Sequence, residues 1–426
     1  MPGDPASDAN VPEVKSWPVD AVTVLNSLCG YSAFAFFCLT LPLFLPFAFI
    51  LPGGRRRWIA AAMRFAMRRV FNVTPTVSWR CDGDLNALAD ARVVVSNHEG
   101  MLDIIAACGL PGSRTLLAKT WVFRAFPLGV AARAAGLYNS DALTPEDYQE
   151  GAPMTLADPH VGIFVFPEGS RSRDGAVHRF RPGAFVLAKH LDVPVVPVVM
   201  AGSRLGIRPG SMWIHPTRIH TRVLAPMRPA AEESHRQFAE RVRTLVVNER
   251  HRLLVELLRQ GHLDRHRRHR SYGFTAPLRQ AVCDEENSNA WRVLLELPRS
   301  EGAWLFLGCG WSTLPLIVRM LYAEAAIHLV ENDEWRLFVA RYQWVESADQ
   351  VVADVAELPA SLGIVTVVCE WAADAPGRAA ALQAVITDAV TTVVVRTPAT
   401  PPTGFSTSPG AVQGWAVCRR QSATDT

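Results

Sequence analysis

Two short polar segments hold residue types that carry acid–base and anion-binding chemistry. Residues 97–103 place the imidazole of His98 five positions before the carboxylate of Asp103. Residues 166–173 read Phe-Pro-Glu-Gly-Ser-Arg-Ser-Arg, which places an acidic side chain on a glycine turn ahead of two guanidiniums. Each segment directly follows a short apolar run of the kind that forms a buried strand.

The first segment predicts a general base. His98 lies between the apolar run 91–95 and a helical pattern at 101–110, at a corner where open α/β sheets keep their ligands. Asp103 can hold one ring nitrogen of His98, and the other nitrogen can then accept a proton from a hydroxyl. This pair corresponds to the histidine–carboxylate half of a catalytic triad, with a substrate hydroxyl in place of the serine. Taken alone, the segment is also compatible with a histidine that caps the helix or packs in the core.

The second segment predicts a site for a polar acceptor. Glu168 can hydrogen-bond hydroxyls of the acceptor, and Arg171 and Arg173 offer forked donors that suit a phosphate. A tight turn with solvated arginines is the alternative. The apolar run 193–200 contains prolines that limit ladder pairing, and it predicts either the wall of an acyl groove or a core strand.

An apolar stretch and a basic stretch precede these segments. Residues 21–54 hold no charged side chain, and the run is long enough to span a bilayer. Pro42 and Pro46 would kink or break a helix, so a spanning helix and a re-entrant hairpin both stay open. Residues 55–72 then hold six arginines and no acid, which favours a helix at a membrane surface over a solvated basic helix. The positive-inside rule places the domain that follows in the cytoplasm.

Composition excludes several classes of protein. The net charge is only +3, so nothing indicates a nucleic-acid partner. The chain has 8 cysteines without a Cys-x-x-Cys pair, which predicts neither a metal site nor a disulfide framework and favours buried thiols in a reducing compartment. Charged residues make up 19% of the chain, below the usual value of roughly 25% for globular proteins.

Together the two polar segments resemble the conserved blocks of glycerolipid acyltransferases, which move a fatty acyl chain from a thioester onto a glycerophospholipid hydroxyl. Residues 97–103 resemble the histidine–aspartate block, 166–173 with 180–183 the third block, and 194–198 the fourth. The resemblance implies acyl-CoA or acyl carrier protein as donor, membrane lipids as partners and no cofactor for the transfer. It implies His98 and Asp103 as catalytic residues and the following substrate-binding residues: Lys119, Glu168, Gly169, Ser170, Arg171, Arg173 and Pro194.

The second block departs from the family pattern. Lys119, residues 126–129 and residues 136–137 resemble it, but the block usually ends in an arginine that helps to hold the acceptor phosphate. Here residues 136–141 read Gly-Leu-Tyr-Asn-Ser-Asp, without a basic residue. Acyl transfer is therefore better supported than a phosphate-bearing acceptor, and another lysolipid or an amino-lipid head group stays possible.

A second motif lies in the C-terminal part of the chain. Gly308 and Gly310 follow an apparent strand, and Glu331 closes the next strand at about the distance of a ribose-binding acid. Residues 295–400 resemble the nucleotide-binding half of S-adenosylmethionine-dependent methyltransferases. The resemblance implies that these three residues contact the cofactor and that Asp354 contacts its adenine. Phe306 stands where an acid is usual, so a vestigial or regulatory domain is the alternative to an active methyltransferase.

These observations predict an α/β protein with an N-terminal membrane helix or hairpin and a C-terminal Rossmann-like, methyltransferase-type domain. The predicted parts are a disordered start at 1–20, a membrane-embedding segment at 21–72, an acyltransferase domain at 73–260, a basic linker at 261–290 and the C-terminal domain at 291–426. The predicted function is acyl transfer at an inner membrane, with the catalytic domain facing the cytoplasm. A bifunctional acyltransferase–methyltransferase and an inactive membrane scaffold are the alternatives.

Overall fold

The structure is a computed structural model that divides into two compact units, Val19–His266 and a second unit within residues 267–426. In the first unit it describes residues 19–50, 55–142, 161–172, 175–207 and 211–261. In the second unit it describes 291–295, 297, 302–308, 314–332, 349–359, 362–370, 378–387, 389–396, 402, 405–409 and 415–420. The predicted disordered start, up to residue 18, and the predicted linker, from residue 262, lie outside these ranges.

Two helices open the first unit and pack against each other: α1 (Ala21–Ile50) and α2 (Arg55–Val73). The stretch Ala21–Phe44 is long and apolar enough to cross a membrane, judged by length and composition alone. Pro42 and Pro46 lie inside α1, so of the two expected effects, a kink or a break, the helix is not broken at these residues. Each proline removes one backbone donor, but the helix continues because the turns on either side keep their own hydrogen bonds.

A seven-stranded sheet forms the centre of the first unit, in the order β1-β7-β6-β2-β5-β3-β4. All neighbours are parallel except β6 and β7. The strands are β1 (Val77–Gly83), β2 (Val93–Ser96), β3 (Arg114–Ala118), β4 (Tyr138–Asn139), β5 (Gly162–Val165), β6 (Val195–Ala201) and β7 (Thr217–Val223). The helices are α3 (Leu85–Asp90), α4 (Leu102–Gly109), α5 (Thr120–Arg124), α6 (Leu128–Ala134), α7 (Gly183–His190) and α8 (His235–Arg259).

The three central strands β2, β5 and β6 are buried along their whole length, as their continuous apolar sequences predict for a parallel sheet covered on both faces. The long helix α8 starts at a capping box, in which Ser234 and Gln237 satisfy each other's backbone donors. Its buried side chains recur with helical spacing, at positions such as Val242, Val246, Leu253 and Leu257. Because β2 and β5 are parallel neighbours, their carboxyl ends lie at the same edge of the sheet, where the loops that follow them begin.

A second seven-stranded sheet forms the other unit, in the order β10-β9-β8-β11-β12-β14-β13. Its strands are β8 (Ala303–Leu307), β9 (Ile327–Val330), β10 (Gln350–Val352), β11 (Ile364–Cys369), β12 (Thr392–Arg396), β13 (Phe405–Pro409) and β14 (Trp415–Arg420). The first five in this order are parallel, and β14 is antiparallel to both of its neighbours. The described helices are α9 (Trp291–Leu294), α10 (Leu314–Leu321) and α11 (Arg378–Val385). The strand order reverses beside β8, as in doubly wound folds, and the predicted α/β class is confirmed.

Candidate active site

The loop between β2 and α4 holds a histidine–carboxylate pair. Nδ1 of His98 lies 3.0 Å from Oδ2 of Asp103. The same oxygen accepts the backbone N–H groups of Glu99, at 2.6 Å, and Gly100, at 2.8 Å. Asp103 is fully buried in the first turn of α4. A carboxylate has no proton to donate, so Nδ1 of His98 carries the hydrogen and Nε2 is left as the acceptor.

The imidazole is held from the side by an aromatic ring. The rings of His98 and Phe166 stack with centroids 4.1 Å apart and planes inclined by 20°. Phe166 is the residue that follows β5, the neighbour of β2 in the sheet. The two polar segments identified in the sequence therefore meet at one edge of the sheet.

Two hydrogen bonds join these segments directly. The backbone N–H of His98 donates to Oε1 of Glu168 at 2.8 Å, and the carbonyl oxygen of His98 accepts from the N–H of Ser172 at 2.8 Å. The second oxygen of Glu168 accepts the N–H of His178 at 2.9 Å. Both oxygens of this buried carboxylate are thus engaged by the backbone, which favours a positioning role over the predicted contact with acceptor hydroxyls. Burial raises the pKa of Glu168 to about 7, against the opposing effect of the two backbone hydrogen bonds.

A cavity of about 1700 Å³ lies beside His98. Most of its wall is apolar and comes from α1, α2, α4 and α6. Its basic groups are Lys119, Arg171 and Arg181. A cavity with these walls can hold a long hydrocarbon chain next to an anionic or polar head group.

The predicted substrate-binding residues divide into two groups. Lys119, Gly169, Ser170 and Arg171 line the same cavity as His98. Pro194 is not among its lining residues; it lies directly before β6, a central strand paired on both sides. Of the two alternatives for residues 193–200, the structure therefore favours a core strand over the wall of an acyl groove. Arg173 lies outside the described residues.

Lys119 is paired with an acid at the rim of the cavity. Its Nζ lies 2.9 Å from Oδ1 of Asp141. The other oxygen of Asp141 accepts from the N–H and the hydroxyl of Thr120, both at 2.9 Å. These hydrogen bonds, that of the Thr120 N–H first, lower the pKa of Asp141 to about 2. Asp141 therefore neutralises the lysine close to the position where the family pattern would place an arginine.

Arg171 and Arg181 are the cavity's remaining basic groups, and neither has a carboxylate partner among the residues that the structure describes. The guanidinium of Arg181 lies against Gly169, where an added Cβ would come within 2.8 Å of Cζ. Gly169 also has a φ of +77°, which strains any other L-residue. A glycine at this turn thus allows a cation to lie close to the backbone.

The sequence analysis missed a second buried ion pair beneath the loop. Oε1 of Glu99 accepts from Nε of Arg250 on α8, and Oε2 accepts the N–H of Gly202 at 3.1 Å. The side chains of Glu99 and Arg250 are 3% and 9% exposed, and burial raises the pKa of Glu99. The available signal was an arginine among the buried apolar positions of α8.

Asn97 fixes the start of the same loop. Its side-chain amide donates to the carbonyl of Met200 at 2.8 Å, and its oxygen accepts the N–H of Met200 at 2.9 Å. The amide thus continues the pairing between β2 and β6 past the end of the ladder. The loop that carries His98 is fixed at this end by hydrogen bonds to the central strand.

Three predicted residues of the second unit lie at one edge of its sheet. Gly308 follows β8 with a φ of +68°, and the buried Glu331 follows β9. Asp354 follows β10, and its side chain accepts from the N–H of Ala356 at 2.8 Å as a helix cap. Gly310 lies outside the described residues. In the described part of the chain, no group of three His, Cys, Asp or Glu side chains is placed to hold a metal ion.

Comparison with known families identifies the central part of the first unit. Residues 80–201 match the family model described as Acyltransferase. These residues are therefore similar to an acyltransferase domain. The chain is 34% identical over 113 residues to the chloroplastic 1-acyl-sn-glycerol-3-phosphate acyltransferase BAT2 of Brassica napus, covering 26% of this chain and 33% of that protein. It is 37% identical over 113 residues to the human 1-acyl-sn-glycerol-3-phosphate acyltransferase alpha, covering 26% and 40%. The matched part of the chain thus spans between a third and two fifths of the length of these relatives.

Two solved structures resemble parts of the chain. The 1-acyl-sn-glycerophosphate acyltransferase PlsC of Thermotoga maritima aligns with 54% of this chain and 97% of its own, at 22% identity and a TM-score of 0.46. The TehB-like methyltransferase of Corynebacterium glutamicum, described as dependent on S-adenosylmethionine, aligns with 34% of this chain and 99% of its own. Its identity is 14% and its TM-score 0.25.

The raised pKa of Glu168 predicts a pH-dependent stability difference between the wild type and Glu168→Gln. The pKa is raised above the unfolded value, so the stabilisation is fully present below about pH 4.5 and is lost as the pH rises through about 7. Glutamine does not ionise. Urea unfolding of both proteins in detergent should show the wild type losing up to about 3 kcal/mol relative to the variant across this window. A difference that does not change with pH would contradict the assignment.

Proposed function

We propose that this protein transfers a fatty acyl chain from the thioester of coenzyme A or acyl carrier protein to a hydroxyl of a lysoglycerolipid. The observation that carries the proposal is the pair of His98 and Asp103 at the wall of an apolar cavity that also holds basic groups. The family match of residues 80–201 supports the reaction class. The curated relatives are named for 1-acyl-sn-glycerol-3-phosphate, which is the first acceptor to test.

The reaction follows from the protonation state of His98. Nε2 accepts the proton of the acceptor hydroxyl while the hydroxyl oxygen forms a bond to the thioester carbonyl carbon. Asp103 stabilises the imidazolium that forms, because its buried oxygen already accepts the Nδ1 hydrogen. The tetrahedral intermediate collapses by breaking the C–S bond, and the thiolate takes the proton from Nε2. The products are an ester and a free thiol, and His98 returns to its starting state.

The cavity supports a division of the substrate into an apolar and an anionic part. The walls from α1 and α2 suit the hydrocarbon chain, whereas Arg171 and Arg181 offer forked donors that suit a phosphate. Asp141 already pairs with Lys119, so the lysine adds little net positive charge to the cavity. A head group with a second negative charge would therefore gain little from this lysine. We therefore propose a lysophospholipid acceptor, with a preference for a singly charged phosphodiester over a phosphomonoester.

The proposed location is the inner membrane, with the catalytic unit on the cytoplasmic side. The apolar stretch of α1 supports attachment to the bilayer, and the arginines that follow it support the cytoplasmic orientation through the positive-inside rule. Coenzyme A and acyl carrier protein are cytoplasmic donors, so this orientation gives the active site access to both substrates.

Removing the base tests the proposed mechanism. His98→Ala and Asp103→Asn should each lower acyl transfer from a labelled acyl thioester by about 10²–10⁴ with the fold intact. His190→Ala, which removes an exposed histidine at the end of α7, is the matched control and should retain full activity. Near-normal activity of His98→Ala would exclude the mechanism. A wild type inactive on every acceptor would favour the scaffold alternative.

Releasing Lys119 tests the acceptor preference. Asp141→Asn removes the charge that neutralises the lysine, so KM for 1-acylglycerol-3-phosphate should fall by about two- to tenfold relative to KM for a lysophosphodiester. The double variant Lys119→Met/Asp141→Asn should lose this gain, since no cation is then released. An equal change for both acceptors would show that the pair does not set the head-group preference.

We propose as a second function that the C-terminal unit binds S-adenosylmethionine. The strand order reverses beside β8, and Gly308, Glu331 and Asp354 follow three neighbouring strands at the edge where such folds bind nucleotides. The left-handed φ of Gly308 allows a ligand to approach the backbone closely, and the carboxylate of Glu331 suits ribose hydroxyls. When bound, S-adenosylmethionine supplies an electrophilic methyl group, which would allow methylation of a lipid head group.

Calorimetry with S-adenosylmethionine tests this second function. The full-length protein should bind it with a micromolar dissociation constant, and Glu331→Ala should weaken binding by about tenfold or more through loss of the ribose contact. Glu324→Ala, which changes an exposed glutamate of the same unit, is the matched control. Absence of binding would remove the methyltransferase proposal and leave acyl transfer unaffected.

A further inference from the structure

The helical hairpin formed by α5 and α6 exposes large apolar side chains. Trp121 is 53% exposed, Phe126 79% and Val130 40%. Side chains of this size in one short segment form the kind of exposed patch that marks an interaction site. The hairpin lines the cavity through Trp121, Val122, Leu128 and Ala131, whereas Phe126 and Val130 are not among the lining residues and form its outer side.

The hairpin adjoins the apolar helix α1. Ala131 and Ala134 of α6 form a buried cluster with Cys38 and Leu41 of α1. The same half of α1 also has exposed apolar side chains, at Phe36, Leu39, Leu43 and Phe44. The exposed apolar surface of the hairpin therefore adjoins exposed apolar side chains of α1, most of which also line the cavity.

A third segment adjoins α1 at its middle. The hydroxyl of Tyr31 donates to the carbonyl of Met212 at 2.6 Å, and Met212 and Trp213 are both exposed. On the adjacent α2, Trp58 and Phe65 are exposed as well. Tryptophan at positions 58, 121 and 213 is the residue type that accumulates at the boundary between lipid chains and head groups.

The charge of these segments distinguishes among possible partners. The sequence holds no Asp or Glu between Asp20 and Asp82, and none between Asp103 and Asp141. The exposed basic residues of the hairpin are Lys119, Arg124 and Arg133. Asp141, the acid that borders the hairpin, is paired with Lys119, so Arg124 and Arg133 give this aromatic surface a net positive charge. Such a surface complements the interface of an anionic bilayer.

We propose that residues 119–135 form a second membrane-docking element, which inserts into the boundary between head groups and acyl chains of an anionic bilayer. Phe126 and Val130 enter the apolar layer, whereas Arg124 and Arg133 contact lipid phosphates. The hairpin docks next to α1, so the cavity that its inner side lines opens toward the bilayer. A lipid can pass from the membrane into the cavity without crossing water. The docking does not depend on the proposed reaction.

Depth-dependent fluorescence quenching tests the proposal. The full-length protein is labelled with an environment-sensitive fluorophore at Phe126→Cys and reconstituted into vesicles that contain phosphatidylglycerol and lipids with a nitroxide near the head of the acyl chain. The matched control is Glu232→Cys, at an exposed site just before α8. Protein without the added cysteine measures background labelling of native thiols. Quenching at position 126 should exceed quenching at position 232 by several-fold.

Two outcomes would overturn the proposal. Equal quenching at the two positions would show that the hairpin stays in water. Weak quenching at position 126, together with efficient cross-linking of this cysteine between two chains, would show that a second copy covers the hairpin.

A functional measurement separates docking from catalysis. The double variant Phe126→Gln/Val130→Gln alters two outer residues that do not line the cavity. Its acyltransferase activity should fall about tenfold with acceptor in vesicles and stay unchanged with acceptor in detergent micelles. An equal loss in both would contradict docking, and absence of activity in the wild type would refute the reaction while leaving the quenching result valid.

Discussion

A single buried oxygen, Oδ2 of Asp103, organises the candidate site. It accepts the ring nitrogen of His98 and two successive backbone N–H groups, while Oδ1 has no hydrogen-bond donor among the described residues. A buried carboxylate is costly unless donors surround it, and the first turn of α4 adds the favourable end of the helix dipole. The turn around His98 and the orientation of its ring are therefore stabilised by the same charge, so the loop that carries His98 also determines which ring nitrogen can accept a proton.

The buried charges around this loop stabilise its surroundings. Glu168 holds the backbone of His98 from the β5 side, and the pair of Glu99 and Arg250 holds the loop against α8. Each of these carboxylates accepts hydrogen bonds at both of its oxygens, which is the condition under which burial of charge is tolerated. Glu168 and Glu99 thus hold the loop in place without lining the cavity, whereas His98 lines it. The cations that line the cavity belong to Lys119, Arg171 and Arg181.

The sequence predicted those parts of the structure that depend on residues close together in the chain. Strands β2, β5 and β6 followed from continuous apolar runs, and the pairing of His98 with Asp103 followed from a spacing of one helical turn. The role of Glu168 could not be predicted, because its donors come from His98 and His178, which lie 70 and 10 residues away in the chain. The contact of Glu99 with Arg250 joins residues separated by 151 positions. Strand β13 was missed since its sequence, Phe-Ser-Thr-Ser-Pro, forms a strand only through pairing with β14.

The cavity and the proposed membrane face share the same helices, and this constrains how the site can work. At about 1700 Å³ the cavity is larger than a typical small-molecule pocket of roughly 300–1,000 Å³, as a fatty acyl chain requires. Part of its wall comes from α1 and α2, and several exposed apolar side chains of these helices line the cavity itself: Phe36, Leu43, Phe44, Trp58 and Phe65. Under the proposed attachment to a bilayer, lipid would cover the exposed apolar side chains that this unit leaves open. On that proposal, the N-terminal helices act as part of the binding site as well as its anchor.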